Sequence, residues 1–143
     1  MEKADSSFRV RVAGRNDWEE AMGLAWKTFL RFEAPDYTPD GVRSFQDFIT
    51  DSTLHKMFII GNYQMFAAFE EDRMVGMITL RNENHISLLF VDEQYHRRGI
   101  GRALVQTLGD YLTNEMGVHL MSVNASPFGL GFYHRLGFRD MGP

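Results

Sequence analysis

The amino-acid sequence predicts a mixed, strongly twisted α/β sheet of about six strands with helices on both faces. Two observations predict this fold class. Apolar segments joined by short polar turns occupy residues 65–91, as in consecutive β-hairpins. Beyond residue 91, helical and extended patterns alternate, as in a βαβ unit, whose crossover we expect to be right-handed. Such a chain forms both antiparallel and parallel strand pairs.

The first half of the chain supplies one strand and two helices ahead of the hairpins. Residues 8–12 alternate apolar and polar side chains, which predicts a half-buried strand. Apolar residues then recur at spacings of three and four over residues 18–29, which predicts an amphipathic helix. Thr38, which precedes a proline, is suited to cap a short second helix. Within residues 51–63, the apolar stretch fits either a helix or a strand.

The second half contains the remaining predicted elements. In chain order these are strands at 65–69, 74–80 and 86–91, a helix from about Gly99 to Met116, a strand at 118–123, a short helix at 128–136 and a last strand that starts at Phe138. The strand at 86–91 is almost entirely apolar, which is typical of a central strand buried on both faces. A chain of 143 residues suits one domain, which we expect to span residues 1–143.

Composition excludes several kinds of site. The chain has no cysteine, which excludes disulfides, thiolate metal ligands and a cysteine nucleophile. Its five histidines lack metal-ligand spacing, so we expect no metal. The formal net charge of −4 argues against nucleic acid or an anionic membrane as a partner, and it slightly favours a cationic substrate. We find no signal peptide and no stretch long enough to span a membrane, which predicts a cytoplasmic protein.

The segment from residue 90 to residue 102 has the pattern of an anion-binding site. A buried strand leads into a loop with two glycines, and a helix begins there. The first N–H groups of a helix have no intrahelical partner, and the helix dipole places partial positive charge beside them. Three arginines add to this charge, namely Arg97, Arg98 and Arg102. The segment therefore predicts a phosphate-binding turn, although the dinucleotide fingerprint and the P-loop motif are both absent.

Two motifs in this half resemble the GNAT N-acetyltransferase superfamily. Residues 96–101, His-Arg-Arg-Gly-Ile-Gly, are similar to its [Q/R]-x-x-G-x-[G/A] turn, with His96 in place of Gln or Arg. Residues 132–138, Phe-Tyr-His-Arg-Leu-Gly-Phe, are similar to its F-Y-x-x-x-G-F segment. The resemblance implies that the turn holds the diphosphate of coenzyme A and that residues 89–91 pair with the pantetheine arm. It also implies that Tyr133 is the general acid for the departing thiolate.

The same resemblance implies which residues bind acetyl-CoA. They are Leu89, Phe90, Val91, His96, Arg97, Arg98, Gly99, Ile100, Gly101, Arg102, Asn124 and Tyr133. It further implies an acyl-CoA-dependent N-acetyltransferase that moves the acetyl group of acetyl-CoA to a primary amine. That amine can belong to a small molecule, a peptide or a protein, and the protein can be a monomer or a homodimer.

The general base is less well defined than the general acid. Some GNAT members carry a carboxylate on the fourth strand, eleven residues before the Gln or Arg position, and His85 stands there in this sequence. Histidine has an ordinary pKa of about 6.5, so it can accept a proton near neutrality. Glu33, Asp36, Glu83 and a chain of water molecules are alternatives.

Two other functions are compatible with parts of the sequence. A non-catalytic module that binds CoA on the same fold would use the same turn, but it would not need Tyr133. Nucleic-acid binding would use the arginine cluster, but the net charge and the absence of a basic stripe with interleaved aromatics disfavour it. Phe32 is most simply a core residue. Alternatively, Phe32 and Tyr37 line a pocket for the acceptor.

Overall fold

A five-stranded sheet is the centre of the fold over residues 8–141, the part of the chain that the computed structural model describes. The strands are adjacent in chain order: β1 (Phe8–Val12), β2 (Gln64–Glu70), β3 (Arg73–Arg81), β4 (His85–Val91) and β5 (Ser122–Val123). The pairs from β1 to β4 are antiparallel, and β4 pairs with β5 in parallel. The predicted mixed sheet is therefore confirmed.

In the described part of the chain, five α-helices connect and cover these strands. They are α1 (Trp18–Phe32), α2 (Pro39–Ile49), α3 (Ser52–Ile59), α4 (Ile100–Met116) and α5 (Leu130–Arg135). Thr38 caps α2, because its hydroxyl oxygen accepts a hydrogen bond from the Gly41 N–H at 3.0 Å. The Asp51 carboxylate caps α3 in the same way, which settles the ambiguous stretch as a helix. Within residues 8–141, none of the helices has the length and apolarity that crossing a membrane requires.

The helices divide between the two faces of the sheet. One buried cluster joins α1, α2 and α3 to one face, and a second cluster joins α4 and α5 to the other. The start of α4 approaches β3 closely at Gly76, where an added Cβ would lie 2.9 Å from Ile100 Cγ2 and 3.1 Å from Leu104 Cδ1. Only glycine permits this contact without displacement, so Gly76 fixes how near the first turn of α4 lies to the sheet.

The parallel pair β4–β5 opens soon after it begins. Only His85 with Ser122 and Ile86 with Val123 are paired. The register with β3 shifts at the next residue, because Ile86 faces Leu80 while Leu88 faces Thr79 and Ser87 is the extra residue of a bulge. A bulge bends its strand, so β4 diverges from β5 here. The edge of β4 from Ser87 to Val91 consequently faces a cleft instead of a strand.

Three details differ from the sequence-based expectation. The sheet has five strands instead of about six, because residues 138–141 form no strand. The Phe138 N–H instead bonds to the Tyr133 carbonyl at 3.0 Å, which closes α5 and uses the donor that a strand would need. The strand predicted at 118–123 is restricted to Ser122–Val123, since β4 begins only at His85 and offers no earlier partner. The helix predicted from about Gly99 begins at Ile100, with Gly99 as its N-cap.

Candidate functional site

A cleft of about 1010 Å³ lies where β4 and β5 separate. It contains most of the residues that the sequence predicted for cofactor binding: Leu89, Phe90, Val91, His96, Arg97, Gly99, Ile100, Gly101, Arg102, Asn124 and Tyr133. Arg98 and His85 do not line it. Segments that are far apart in the sequence thus meet at one opening in the sheet.

The loop before α4 and the first turn of this helix form what we call the glycine wall, residues 97–102. Arg97 and Gly99 both have left-handed backbone conformations, with φ of 66° and 82°. The first main-chain bond of the helix runs from the Ala103 N–H to the Gly99 carbonyl at 2.9 Å. Within residues 8–141, the N–H groups of Ile100, Gly101 and Arg102 therefore have no acceptor, and all three residues line the cleft. Such a group of free donors at a helix start binds an anion.

Gly101 also allows the opposite side of the cleft to come close. A Cβ added there would lie 3.1 Å from Cε1 and Cζ of the Phe132 ring. Phe132 is on α5, so the small residue lets α5 pack against the start of α4. Any larger side chain would have to displace this ring, which lines the same cleft.

The arginines of the glycine wall point in different directions. Arg97 and Arg102 line the cleft. The Arg98 guanidinium instead lies 5.0 Å from the centre of the Tyr95 ring. The Tyr95 hydroxyl in turn donates to the Glu70 carboxylate on β2. Arg98 thus braces the loop from outside, and its predicted contact with CoA stays a prediction.

Asp92 fixes the loop that precedes this wall. It is 3% exposed, and its carboxylate accepts hydrogen bonds from Lys27 of α1 at 3.1 Å and from Arg73 of β3 at 3.0 Å. It also accepts from the Gln94 N–H at 3.0 Å. Burial alone would raise the pKa of this carboxyl, but these donors hold the pKa below its ordinary value. Asp92 therefore ties the end of β4 to two other elements as an ionised side chain.

His96 is half-buried and faces the same opening. Its Nε2–H donates to the Val91 carbonyl at 2.8 Å, which fixes the end of β4. Its ring centre lies 5.0 Å from that of Phe32, which stacks on Phe128 at 4.8 Å. The imidazole thereby joins α1 and the loop before α5 across the cleft.

Tyr133 is a buried tyrosine whose hydroxyl is unsatisfied. It is 8% exposed, lines the cleft, and packs edge-on against Phe132 and Phe138. The hydroxyl has no hydrogen-bond partner among residues 8–141. Burial, followed by the nearby Glu33 carboxylate, raises the pKa of Tyr133 above its ordinary value. Its hydroxyl is consequently protonated at neutral pH and free to donate to a ligand.

Glu33 is the acidic partner of this tyrosine. It ends α1, is half-buried and lines the cleft. Burial raises the pKa of Glu33 to about 7, while a hydrogen bond from the Ser126 hydroxyl acts in the opposite direction. Glu33 and Tyr133 both line the cleft, and the charge of Glu33 contributes to the raised pKa of Tyr133. A carboxyl group with this pKa gains or loses a proton close to neutral pH.

The other base candidates lie outside the lining of the cleft. His85 stands at the paired start of β4, where its Nδ1 lies 2.8 Å from the Ser122 hydroxyl oxygen. Burial and then the charge of Arg81 lower the pKa of His85. Asp36 and Glu83 are exposed and do not line the cleft. The structure thus brings Glu33 to Tyr133, and the role of His85 stays a prediction.

Aromatic side chains form the wall opposite the glycines. This aromatic wall consists of Phe32, Tyr37, Phe45 and Phe48, from α1, the following turn and α2. Phe45 stacks on buried Phe29 with ring centres 4.0 Å apart, so the wall is anchored in the core. The sequence offered Phe32 and Tyr37 as residues of an acceptor pocket, but it did not identify Phe45 and Phe48 there. Their spacing predicts burial and does not separate core from cleft.

A buried polar network supports the bulge of β4. The Leu88 N–H donates to Thr79 Oγ1 at 3.0 Å, and Thr79 Oγ1 lies 2.7 Å from the Tyr63 hydroxyl. The Tyr63 hydroxyl donates to Ser87 Oγ at 3.0 Å. Tyr63 has one proton, so Thr79 is the donor to Tyr63, and the Ser87 proton remains for another acceptor. Ser87 lines the cleft and was not identified from the sequence.

Over residues 8–141, no three His, Cys, Asp or Glu side chains are grouped as a metal site requires. The polar groups that line the cleft are instead main-chain donors, arginines, hydroxyls and one carboxylate. These groups suit an organic anion together with a proton-transfer reaction.

Comparison with known proteins agrees with this geometry. A family model described as the acetyltransferase (GNAT) domain matches residues 33–143. The uncharacterized N-acetyltransferase YafP of Escherichia coli (strain K12) is 24% identical over 136 residues, which cover 95% of this chain and 84% of that protein.

Two solved structures share the fold. A GCN5-related N-acetyltransferase from Rhodopseudomonas palustris gives a TM-score of 0.79 at 20% identity, covering 96% of this chain and 84% of its own. The PaiA N-acetyltransferase from Thermoplasma acidophilum, solved with coenzyme A, also gives 0.79 at 17% identity, with 93% and 90% covered. With a family model that matches well over half of the sequence, this chain belongs to the GNAT acetyltransferase family.

Proposed function

We propose that this protein is an N-acetyltransferase that transfers the acetyl group of acetyl-CoA to a primary amine. One observation carries the proposal: the unsatisfied hydroxyl of buried Tyr133 and the carboxyl group of Glu33 line one cleft, which also presents three free main-chain N–H groups. A proton donor, a proton acceptor and an anion site are what this reaction requires.

The glycine wall supplies the site for the donor substrate. The N–H groups of Ile100, Gly101 and Arg102 would hold the diphosphate of CoA, and the side chains of Arg97 and Arg102 would neutralise part of its charge. The open edge of β4 offers main-chain groups to the amide-containing arm of the cofactor. This arrangement directs the thioester toward the part of the cleft that Tyr133 lines.

Glu33 and Tyr133 supply the two proton transfers. The neutral amine attacks the thioester carbon, a C–N bond forms, and Glu33 accepts the proton that the nitrogen releases. A main-chain N–H of β4 near Phe90 or Val91 stabilises the negative carbonyl oxygen. The C–S bond then breaks, and Tyr133 donates its proton to the CoA thiolate. The proton on Glu33 then returns to the tyrosinate through the solvent of the cleft that both residues line, which completes the cycle.

The test is turnover of acetyl-CoA in the presence of primary amines. We expect release of the CoA thiol together with a product heavier by one acetyl group, measured by thiol titration and mass spectrometry. Calorimetry with CoA alone tests the glycine wall separately. Binding of CoA without turnover of any amine would favour a non-catalytic CoA-binding module on the same fold. Absence of both binding and turnover would refute the proposal.

A further inference from the structure

The charges that line the cleft restrict the kind of amine it can accept. Five ionisable acid or guanidinium side chains line it: Glu33, Arg81, Arg97, Arg102 and Arg135. Four of them are arginines and one is a carboxylate, so the cleft is positively charged inside a chain of net charge −4. The overall charge, which slightly favoured a cationic substrate, is thus a poor guide to the site itself.

The cleft lining offers a carboxylate partner to one ammonium group. Glu33 is the sole carboxylate among the described residues of the cleft lining, and it is half-buried. In the proposed complex the diphosphate of CoA neutralises Arg97 and Arg102, so the number of carboxylates is what restricts the amine. A second ammonium on the same substrate would have no carboxylate to pair with, and an unpaired charge weakens binding in a partly desolvated site.

The wall next to Glu33 favours an apolar body on that amine. Phe32 directly precedes Glu33 in the sequence, and both line the cleft. Burial is the larger cause of the raised pKa of the Tyr37 hydroxyl, and the charge of Glu33 raises this pKa further. Phe45 and Phe48 complete an aromatic surface on the same side of the cleft. Aromatic rings bind apolar and aromatic groups, and their faces also attract a cation.

We infer that the acceptor is a small primary monoamine carried by an aromatic or apolar body. This inference rests on the proposed acetyl transfer and specifies its second substrate. The single ammonium pairs with the Glu33 carboxylate on binding and loses one proton to solvent, which leaves the neutral amine that attacks and the carboxylate that accepts the next proton. The body of the amine packs against the aromatic wall. Polyamines and aminoglycosides, which carry several ammonium groups, are disfavoured.

An amine panel with the full-length protein tests the inference directly. We expect kcat/KM for 2-phenylethylamine to exceed that for spermidine and for kanamycin by at least about tenfold, which is the effect of burying an apolar side group. Equal or greater kcat/KM for either polycation would overturn the inference. If no amine is acetylated, the proposed function fails instead, and calorimetry of 2-phenylethylamine with the CoA-saturated protein still reports whether the pocket binds a monoamine.

A charge introduced into the wall provides a second test. Phe48→Glu adds a carboxylate to the aromatic wall, so we expect the ratio of kcat/KM for cadaverine to that for 2-phenylethylamine to rise about tenfold. Phe58→Glu is the matched control, because Phe58 is also half-buried against the same core cluster but lies outside the cleft. An unchanged ratio in Phe48→Glu, or the same rise in Phe58→Glu, would contradict the assignment of this wall to the acceptor.

Discussion

The two walls of the cleft recognise ligands by different means. The glycine wall offers main-chain N–H groups at the start of α4, on one face of the sheet. The aromatic wall offers side chains of α1 and α2, which pack on the other face. Main-chain donors persist when most side chains change, whereas a side-chain wall changes with every substitution. We therefore expect the anion site to be general and the amine site to be particular to this protein.

Tyr133 and Glu33 both line the cleft and carry the two proposed proton transfers, so changes there should have the largest effect. We expect Tyr133→Phe to reduce kcat on the order of 100-fold, because a general acid typically contributes at least this much. The dissociation constant for CoA should change less than about twofold, since the main-chain donors remain. Steady-state kinetics and calorimetry measure the two quantities.

Tyr111→Phe is the control for the loss of a hydroxyl. Tyr111 is on α4, packs edge-on against Phe66 and does not line the cleft. Its variant should keep the kcat of the unmodified protein. Equal kcat in the Tyr133→Phe variant would remove this tyrosine from the mechanism.

A second pair of variants separates the two candidates for the general base. We expect Glu33→Gln to reduce kcat roughly 30-fold at pH 8 and His85→Gln to change kcat less than about threefold. Because the pKa of Glu33 is raised to about 7, its carboxyl is ionised above that pH and protonated below it. The ratio of unmodified to Glu33→Gln kcat should therefore shrink as the pH falls from 8 to 6.

The pH dependence of this kcat ratio tests Glu33 as the general base more strictly than the loss of kcat at a single pH. A ratio that stays constant from pH 6 to pH 8 would mean that Glu33 acts through binding or packing alone. A large loss of kcat in His85→Gln, together with a small loss in Glu33→Gln, would identify His85 as the general base instead.

The glycine wall could be predicted from sequence because it is a continuous segment. Strand, two glycines and helix follow one another within residues 90–102, so local rules are sufficient to place the free N–H groups. Tyr133 was placed by a second motif of seven residues. The pattern carries no information on the contact of the Arg98 guanidinium with the Tyr95 ring, and the predicted contact of Arg98 with CoA stays a prediction.

The aromatic wall could not be predicted in this way. Its residues come from α1, the following turn and α2, and they become neighbours of Tyr133 only through the packing of helices on opposite faces of the sheet. Glu33 was one of several alternatives because a carboxylate at a helix end carries no sign of burial in the sequence. The fold class followed from periodicity, but the count of about six strands failed where the Phe138 N–H closes α5.

Substitutions of two glycines on α4 test whether the glycine wall binds CoA. We expect Gly101→Val to weaken CoA binding about tenfold, because its side chain would meet the Phe132 ring and fill the space beside the free N–H groups. Gly109→Val lies on the same helix, where an added Cβ would make only an ordinary contact of 3.5 Å with Met121. It should leave CoA affinity unchanged. Calorimetry on both proteins decides, and equal affinities would show that the diphosphate binds elsewhere.

Substitution of Asp92 should have the smallest effect on the affinity for CoA, because Asp92 acts only by holding the end of β4 in place. It does not line the cleft, yet it ties the end of β4 to α1 and β3. We expect Asp92→Asn to raise the dissociation constant for CoA about threefold through a looser glycine wall, while the preference for monoamines stays the same. Altered amine preference without loss of CoA affinity would contradict the separation of the two walls.

Stability provides a readout for Asp92 that does not depend on ligands. Its pKa lies below the ordinary value of 3.8, so it stabilises the folded protein above that pH and loses this contribution as the pH falls through the lowered pKa. Asp92→Asn should therefore lower the free energy of unfolding by about 2 kcal/mol at pH 7 and by progressively less toward pH 3. Asp40→Asn breaks an exposed pair with Arg43 and should change it by less than about 0.5 kcal/mol. Since denaturation measures the tie itself and calorimetry measures its effect on the cleft, a large loss of stability with intact CoA binding would show that the glycine wall is held by Gly76 and the helix packing instead.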